Sequence, residues 1–196
     1  QDINENINVT EMVKFVSDIL NQWASLSLNT EEKLTYTQLV QVGSSAGGAR
    51  AKALIAWNKK TNEIRSGQLN LDPDFDYWLI KFDHVSKNGD HGLEDTPEYT
   101  LIEYAYYKMA LAAGIEMNDC RIYSNNGENH FMTKRFDRIN GKKIHMQSLG
   151  ALAHISYKKP ALCSYEMAAQ YMRELGLPAK EIEQFYRRMV FNCIAV

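Results

Sequence analysis

The sequence predicts an α+β fold, a mostly antiparallel sheet with one packed helix followed by a set of helices. Three observations carry this. Runs rich in β-branched and aromatic residues, bounded by turn residues, occupy the stretch from Leu39 to Asp137. One well-signalled helix, from Thr96 to Gly114, interrupts them. From Leu149 onward the apolar residues recur at helical spacing, and the composition turns from β-rich to α-rich near residue 145.

In chain order, Val9 to Leu26 reads as a helix, because Met12, Val13, Val16, Ile19, Leu20 and Trp23 recur at helical spacing and Thr10 can cap the start. Leu39 to Val42 is strand-like and leads into a Gly/Ser-rich stretch from Gly43 to Gly48. Ala53 to Trp57 is a second strand, Asn58 to Asn62 a polar turn, and Glu63 to Arg65 the return. Tyr77 to Phe82 is strongly β-prone, and Ser86 to Asp95 is a polar loop. In the helix that follows, Thr96 suits the cap, Pro97 the first position and Gly114 the end, with Ile102, Tyr106, Met109, Ala110 and Ala113 along one face. Arg121 to Ser124 and His130 to Asp137 read as strands, and Asn140-Gly141 signals a two-residue hairpin. Leu149 to His154, Ser164 to Leu175 and Ala179 to the end read as helices, the last two separated by Gly176-Leu177-Pro178.

The 196 residues, 45% hydrophobic, suffice for one sizeable core or for one lobe and part of a second. Lys plus Arg (22) nearly balance Asp plus Glu (24), and a formal charge of -2 gives no overall attraction to nucleic acid. No apolar run has the length of a membrane span, and Gln1-Asp2-Ile3-Asn4 opens no signal peptide. Cys120, Cys163 and Cys193 form no CxxC pair, so a metal or disulfide framework is not expected and a cytoplasmic location is. His84, His91, His130, His145 and His154 form no HxxxH pair, which leaves them as surface or packing residues.

Three features bear on chemistry. Gly43-Ser44-Ser45-Ala46-Gly47-Gly48 lies between two expected strands, where glycines permit close approach to a phosphate and serial N–H groups can cradle an anion. No GK[ST] follows, so this is not a Walker loop, and alone it is more often an ordinary hairpin. Lys81 sits in an apolar strand, with Tyr77, Leu79 and Lys81 on one face and Trp78, Ile80 and Phe82 on the other. A buried lysine needs an anion; otherwise it snorkels to water. Glu103, taken by itself, is a helix glutamate. The succession of Gly-rich hairpin, strand lysine and helix glutamate is that of a protein-kinase N-lobe, where the lysine holds nucleotide phosphates and the glutamate holds the lysine.

The motifs then resemble one family. Gly43 to Ala53 resembles the HipA-family glycine-rich motif, roughly GSSxGGARPKA; Tyr77 to Phe82 resembles its strand-lysine motif. Glu103 with Met109-Ala110-Leu111-Ala112-Ala113-Gly114-Ile115 resembles its NE…LAxxAGI helix, Lys134 to Arg138 its (V/K)RFDR strand end, and Lys143 to Leu149 its RxHxxS/D segment. The similarity runs from about residue 36 to 196. It implies a kinase-like N-lobe over residues 36–145, the first helices of an incomplete C-lobe over 146–196, and a helical segment over 1–35.

The resemblance further implies that Lys81 contacts ATP phosphates, Glu103 pairs with Lys81, Leu79 lies against the purine, and the backbone near Lys134 to Phe136 faces adenine, with Asp137 in the same cofactor-binding segment. Gly43, Ser44, Ser45, Gly47 and Gly48 would cover the phosphates. In some relatives serines of this loop are autophosphorylated and the kinase is inactivated; Ser44 and Ser45 are the matching positions, and a phosphoserine there would place negative charge where ATP phosphates sit. Ala51 stands where the family has proline, and Ile102 where an Asn often precedes the glutamate.

No segment resembling the family's catalytic loop, RNxDDHxKN, is present, so no catalytic residue and no metal ligand is assigned within these residues. The expectation is the ATP-binding portion of a serine/threonine kinase of toxin–antitoxin type, inactive as this piece, with magnesium in the full-length parent. By resemblance its partners would be a DNA-binding antitoxin and an aminoacyl-tRNA synthetase substrate, with no direct nucleic-acid or membrane contact. A pseudokinase-like interaction module and a small-molecule or lipid kinase of related fold are the rival readings.

Overall fold

The structure is a computed structural model, and it describes residues 8–12, 52–83, 98–156, 159 and 162–195. The expected strand from Leu39 to Val42, the glycine-rich loop with Ser44 and Ser45, the loop from Ser86 to Asp95 and the Thr96-Pro97 cap lie outside the described residues.

The fold is α+β. Five strands form one antiparallel sheet: β1 (Lys52–Asn58), β2 (Glu63–Ser66), β3 (Asp76–Lys81), β4 (Cys120–Asn125) and β5 (Glu128–Lys134), in the order β2-β1-β3-β5-β4. Helix α1 (Tyr99–Ala112) lies between β3 and β4 in sequence. A small hairpin follows, β6 (Arg138–Ile139) with β7 (Lys142–Lys143), and then helices α2 (Leu149–Leu152), α3 (Tyr165–Glu174) and α4 (Ala179–Ala195).

The chain divides into two compact units, one of residues Gln1–Tyr106 and Asn118–Lys143, the other of Tyr107–Met117 and Ile144–Val196. In the first, strand alternation sorts the side chains onto two faces. One face carries the core: Ala53 and Ile55 from β1, Ile64 from β2, Trp78 and Ile80 from β3, and Met132 from β5. Phe82, just past β3, joins them, as do Val9 and Met12 of a helical turn at residues 9–12. Trp57 meets Trp78 and Tyr123 edge-on, with ring centroids 6.5 and 6.0 Å apart.

Turn chemistry sets the strand connections. Asn58 Oδ1 accepts the Lys60 and Thr61 N–H groups, closing the β1–β2 turn. Asn126-Gly127 joins β4 to β5, and Asn140-Gly141 joins β6 to β7, each pair with positive φ at both positions (50° and 83°; 50° and 76°). That conformation matches the right-handed twist of the flanking strands.

The helix boundaries follow their signals. Gly114, at φ +73°, follows the end of α1. Ser148 and Ser164 accept N–H bonds from Ala151 and Met167 as N-caps of α2 and α3, and Gly176, at φ +70°, follows α3. Within the second unit, α4 grips the loop after α1: Gln184 accepts the Glu116 N–H and donates to the Gly114 carbonyl, and Lys180 pairs with Glu116 at 2.6 Å.

One expectation is corrected. β5 stops at Lys134 rather than Asp137: Arg135 still donates its N–H to Tyr77 O of β3, and beyond it the Arg135 side chain clamps Asp137 in the turn that follows. On α1, Ile102 and Met109 of the apolar row are exposed, and the buried positions are Thr100 and Ala110. Among the described residues, no helix is long and apolar enough to cross a membrane.

Candidate functional site

The second face of the sheet holds the candidate site. Its residues pair across strands: Ala56 with Tyr77, Leu54 with Leu79 and Thr133, and Lys52 with Lys81 and Phe131. Cys120 and Ile122 extend the last two rows onto β4. The face therefore grades from apolar at Leu54–Leu79 to cationic at Lys52–Lys81.

Lys81 and Glu103, 22 residues apart in sequence, meet here: Lys81 Nζ donates to Glu103 Oε1 at 2.9 Å. The side chains are 28% and 22% exposed, so water screens the pair only partly. The Lys81 ammonium also sits 5.7 Å from the Phe131 ring centroid.

The position of Glu103 depends on how α1 is anchored. The Asp83 carboxylate accepts the Glu98 N–H at 3.1 Å, at the mouth of the helix. The Asp83 N–H in turn donates to Nδ1 of fully buried His130, also at 3.1 Å, which fixes Nδ1 as the unprotonated nitrogen. Thr100 donates its hydroxyl to Asn129 O on β5. Glu103 lies three residues beyond Thr100, on the same side of the helix, and so is aimed at the sheet.

The remaining sequence-derived residues fall as follows. Leu79 is partly buried between Leu54 and Thr133. Lys134 points to the opposite face, where it pairs with Asp76 at 2.7 Å beside Lys59 at 2.9 Å. Burial alone would raise the Asp76 carboxyl, but the hydrogen bonds from Lys134 and Lys59 outweigh it and hold the group below its ordinary value. The Lys134 N–H donates to Asp119 O and its carbonyl accepts from Asn118.

Phe136 stands just past β5 and is 64% exposed. Asp137 is buried, and Arg135 donates to both of its oxygens at 2.8 and 2.6 Å. Those bonds hold the Asp137 carboxyl below its ordinary value. Gly43, Ser44, Ser45, Gly47 and Gly48 lie outside the described residues. Burial pushes the Cys120 thiol up, so it is an uncharged packing residue on this face.

A strand lysine locked to a helix glutamate on a half-open sheet face is the arrangement that protein kinases use at nucleotide phosphates. Comparison with family profiles finds the HipA-like C-terminal domain over residues 44–196, a stretch that contains Lys81, Glu103 and the Lys134–Asp137 segment. The chain belongs to the HipA family. Neither the curated proteins nor the solved structures yield a match.

Within this HipA-family chain, sequence reasoning missed Lys52, Leu54, Asp83, Thr100 and His130. Leu54 was legible as a strand position and Lys52 stood just before the strand read from the sequence; the partners of both depend on sheet register. The link from His130 through Asp83 to the start of α1 carries no sequence signal, since it uses a backbone N–H at each step.

Proposed function

We propose that these residues are the ATP-binding portion of a HipA-type serine/threonine kinase. The observation that carries this is the Lys81–Glu103 ion pair on the half-open face of the sheet. The ammonium supplies positive charge for phosphate oxygens, and the carboxylate restricts where that charge can go. Leu79 and its cross-strand neighbour Leu54 offer an apolar surface to a purine. Phe136, exposed immediately beyond β5, stands where the family resemblance sets the adenine edge. The Arg135–Asp137 clamp then shapes that segment, so the role of Asp137 is to position its neighbours. The acceptor as a protein hydroxyl rests on family membership.

The test is calorimetric titration of the 196-residue chain with ATP and magnesium. Lys81→Met is expected to weaken binding by about tenfold or more, since charge-assisted bonds contribute about 1.5–3 kcal/mol. Glu103→Gln should weaken it less, because the lysine remains but is held less firmly. Far-UV circular dichroism of each variant should match the parent. Absence of ATP binding by the unmodified chain, or unchanged affinity in Lys81→Met, rejects the reading.

A further inference from the structure

Lys81 and the helix that carries Glu103 are both set from one short segment. Lys81 ends β3, and Asp83, two residues on, is buried and accepts the Glu98 N–H at 3.1 Å. Glu98 opens α1: its carbonyl accepts the N–H groups of Leu101 and Ile102, the first bonds of the helix. It does so at φ +71°, a left-handed conformation that an L-residue adopts at a cost and keeps only where its surroundings hold it.

That hold begins on the other face of the sheet. Phe131 pairs with Lys81 on the site face, so His130, its neighbour on β5, points to the core face. There His130 is fully buried, stacked on Tyr123 and edge-on to Phe82, with ring centroids 6.5 and 5.6 Å away. Its Nδ1 accepts the Asp83 N–H at 3.1 Å, and its Nε2 faces Glu128 Oε2 at 3.6 Å. Two bonds therefore meet at Asp83: the imidazole fixes its backbone, and its carboxylate fixes Glu98.

We propose that His130 is a positioning residue for nucleotide binding: by holding Asp83 it keeps the strained start of α1 in place, and with it the meeting of Glu103 with Lys81. This rests on the ATP-binding reading above and extends it to a residue on the opposite face of the sheet. Glu103 lies less than two helical turns beyond Glu98, so a shift of the first turn reaches its carboxylate. The Thr100 hydroxyl, on Asn129 O, ties the same turn to the residue next to His130 on β5. An N–H donor at Asp83 needs an acceptor, so the relay depends on one position of the ring, the Nδ1 site.

The experiment uses that dependence. An asparagine side-chain oxygen takes the place of Nδ1, whereas the polar end of glutamine reaches the place of Nε2. ATP is titrated calorimetrically into the unmodified chain, His130→Asn and His130→Gln, and into both variants combined with Lys81→Met. His130→Asn should keep most of the affinity. His130→Gln should weaken it by about fivefold, the net contribution of one hydrogen bond. A packing role predicts the reverse order, because glutamine is nearer histidine in size. With Lys81→Met the difference between the two variants should vanish, since the effect runs through the ion pair. Equal affinity of the two variants, the reverse order, or a full difference that persists without Lys81 overturns the proposal and leaves the ATP reading standing. Absence of ATP binding by the unmodified chain overturns the ATP reading and the proposal with it. Should the variants fail to fold, nuclear magnetic resonance of the unmodified chain gives the answer. A nitrogen–nitrogen coupling should connect the Asp83 amide to His130 Nδ1 across their hydrogen bond. ATP should slow hydrogen exchange at the Asp83 and Glu98 amides, because coupling between binding and order is reciprocal. Exchange indifferent to ATP overturns the proposal.

Discussion

Asp137 and Arg135 form a two-point ion pair in the segment that follows β5. The guanidinium fork meets both carboxylate oxygens in a buried setting, and this bond comes immediately after the last sheet residue. Asp137→Asn is expected to cost about 1.5–3 kcal/mol at neutral pH, the range for hydrogen bonds to charged groups. The pH dependence has a definite sign. The folded-state carboxyl titrates below its ordinary value, so its contribution is full above the unfolded value of about 3.9 and fades as pH falls through the lower folded one. Urea unfolding of parent and variant at pH 7 and near pH 3 should therefore show a gap that narrows in acid. A gap that is constant or widens rejects the ion pair as its source. The Lys81–Glu103 contact was legible through the family resemblance, which pairs a strand lysine with a helix glutamate; periodicity and the helix signal alone give each residue only its element. The Lys134 side chain was not legible in the same way. Parity along β5 turns it to Asp76 on the far face, and the parity of β5 against β3 is fixed only by their pairing.

At the scale of elements, most strands and helices follow local chemistry that a reader of the sequence can see. Ser164 caps α3 and Gly176 ends it, as serine and glycine at those positions should. Asn140-Gly141 is legible as a hairpin signal, and Asn126-Gly127, the same dipeptide with positive φ at both positions, makes the β4–β5 turn. The sequence leaves open which face of α1 meets the sheet. Its apolar residues surround the helix, so hydrophobic spacing alone does not say which side meets the sheet; the polar anchors Thr100 and Glu103 decide it. The two Asn-Gly turns also separate conformational strain from crowding. A Cβ on Gly127 would meet nothing within 4 Å, whereas one on Gly141 would lie 2.7 Å from Leu71 O. Both residues have positive φ, which costs an L-residue about 1–2 kcal/mol. Gly127→Ala should lose about that much stability, and Gly141→Ala measurably more, because a backbone carbonyl must also move. Equal losses in denaturant unfolding would show that the 67–71 loop yields without cost.

At the scale of the molecule, the two units differ in what holds each together. The first contains the buried cluster of Ile55, Trp78, Ile80 and Met132, with Val9 and Met12 packed into it. In the second, α2 and α4 bury no residue fully, and α3 buries only Ala168. The second unit also buries Ala110 and Ile115, and its ties include surface bonds such as Lys180–Glu116, which contribute little each. Free energy of local opening follows buried apolar contact, so the second unit should open first on heating. The tryptophans make this measurable. Trp23, Trp57 and Trp78 all fall within the residue range of the first unit, so fluorescence follows that unit alone. Circular dichroism at the helical band is weighted toward α3 and α4, the second unit's two longer helices. The expected result is non-coincident melting, with the circular dichroism midpoint below the fluorescence midpoint. ATP adds a second prediction to the same scan. A ligand at about 100 times its Kd stabilises the state that binds it by about 2.7 kcal/mol. Because Lys81 and Glu103 both belong to the first unit, ATP should raise the fluorescence midpoint and leave the earlier circular dichroism phase in place. Coincident transitions that move together with ATP would show instead that the two units melt as one cooperative body, with the sparse burial of α2, α3 and α4 compensated elsewhere.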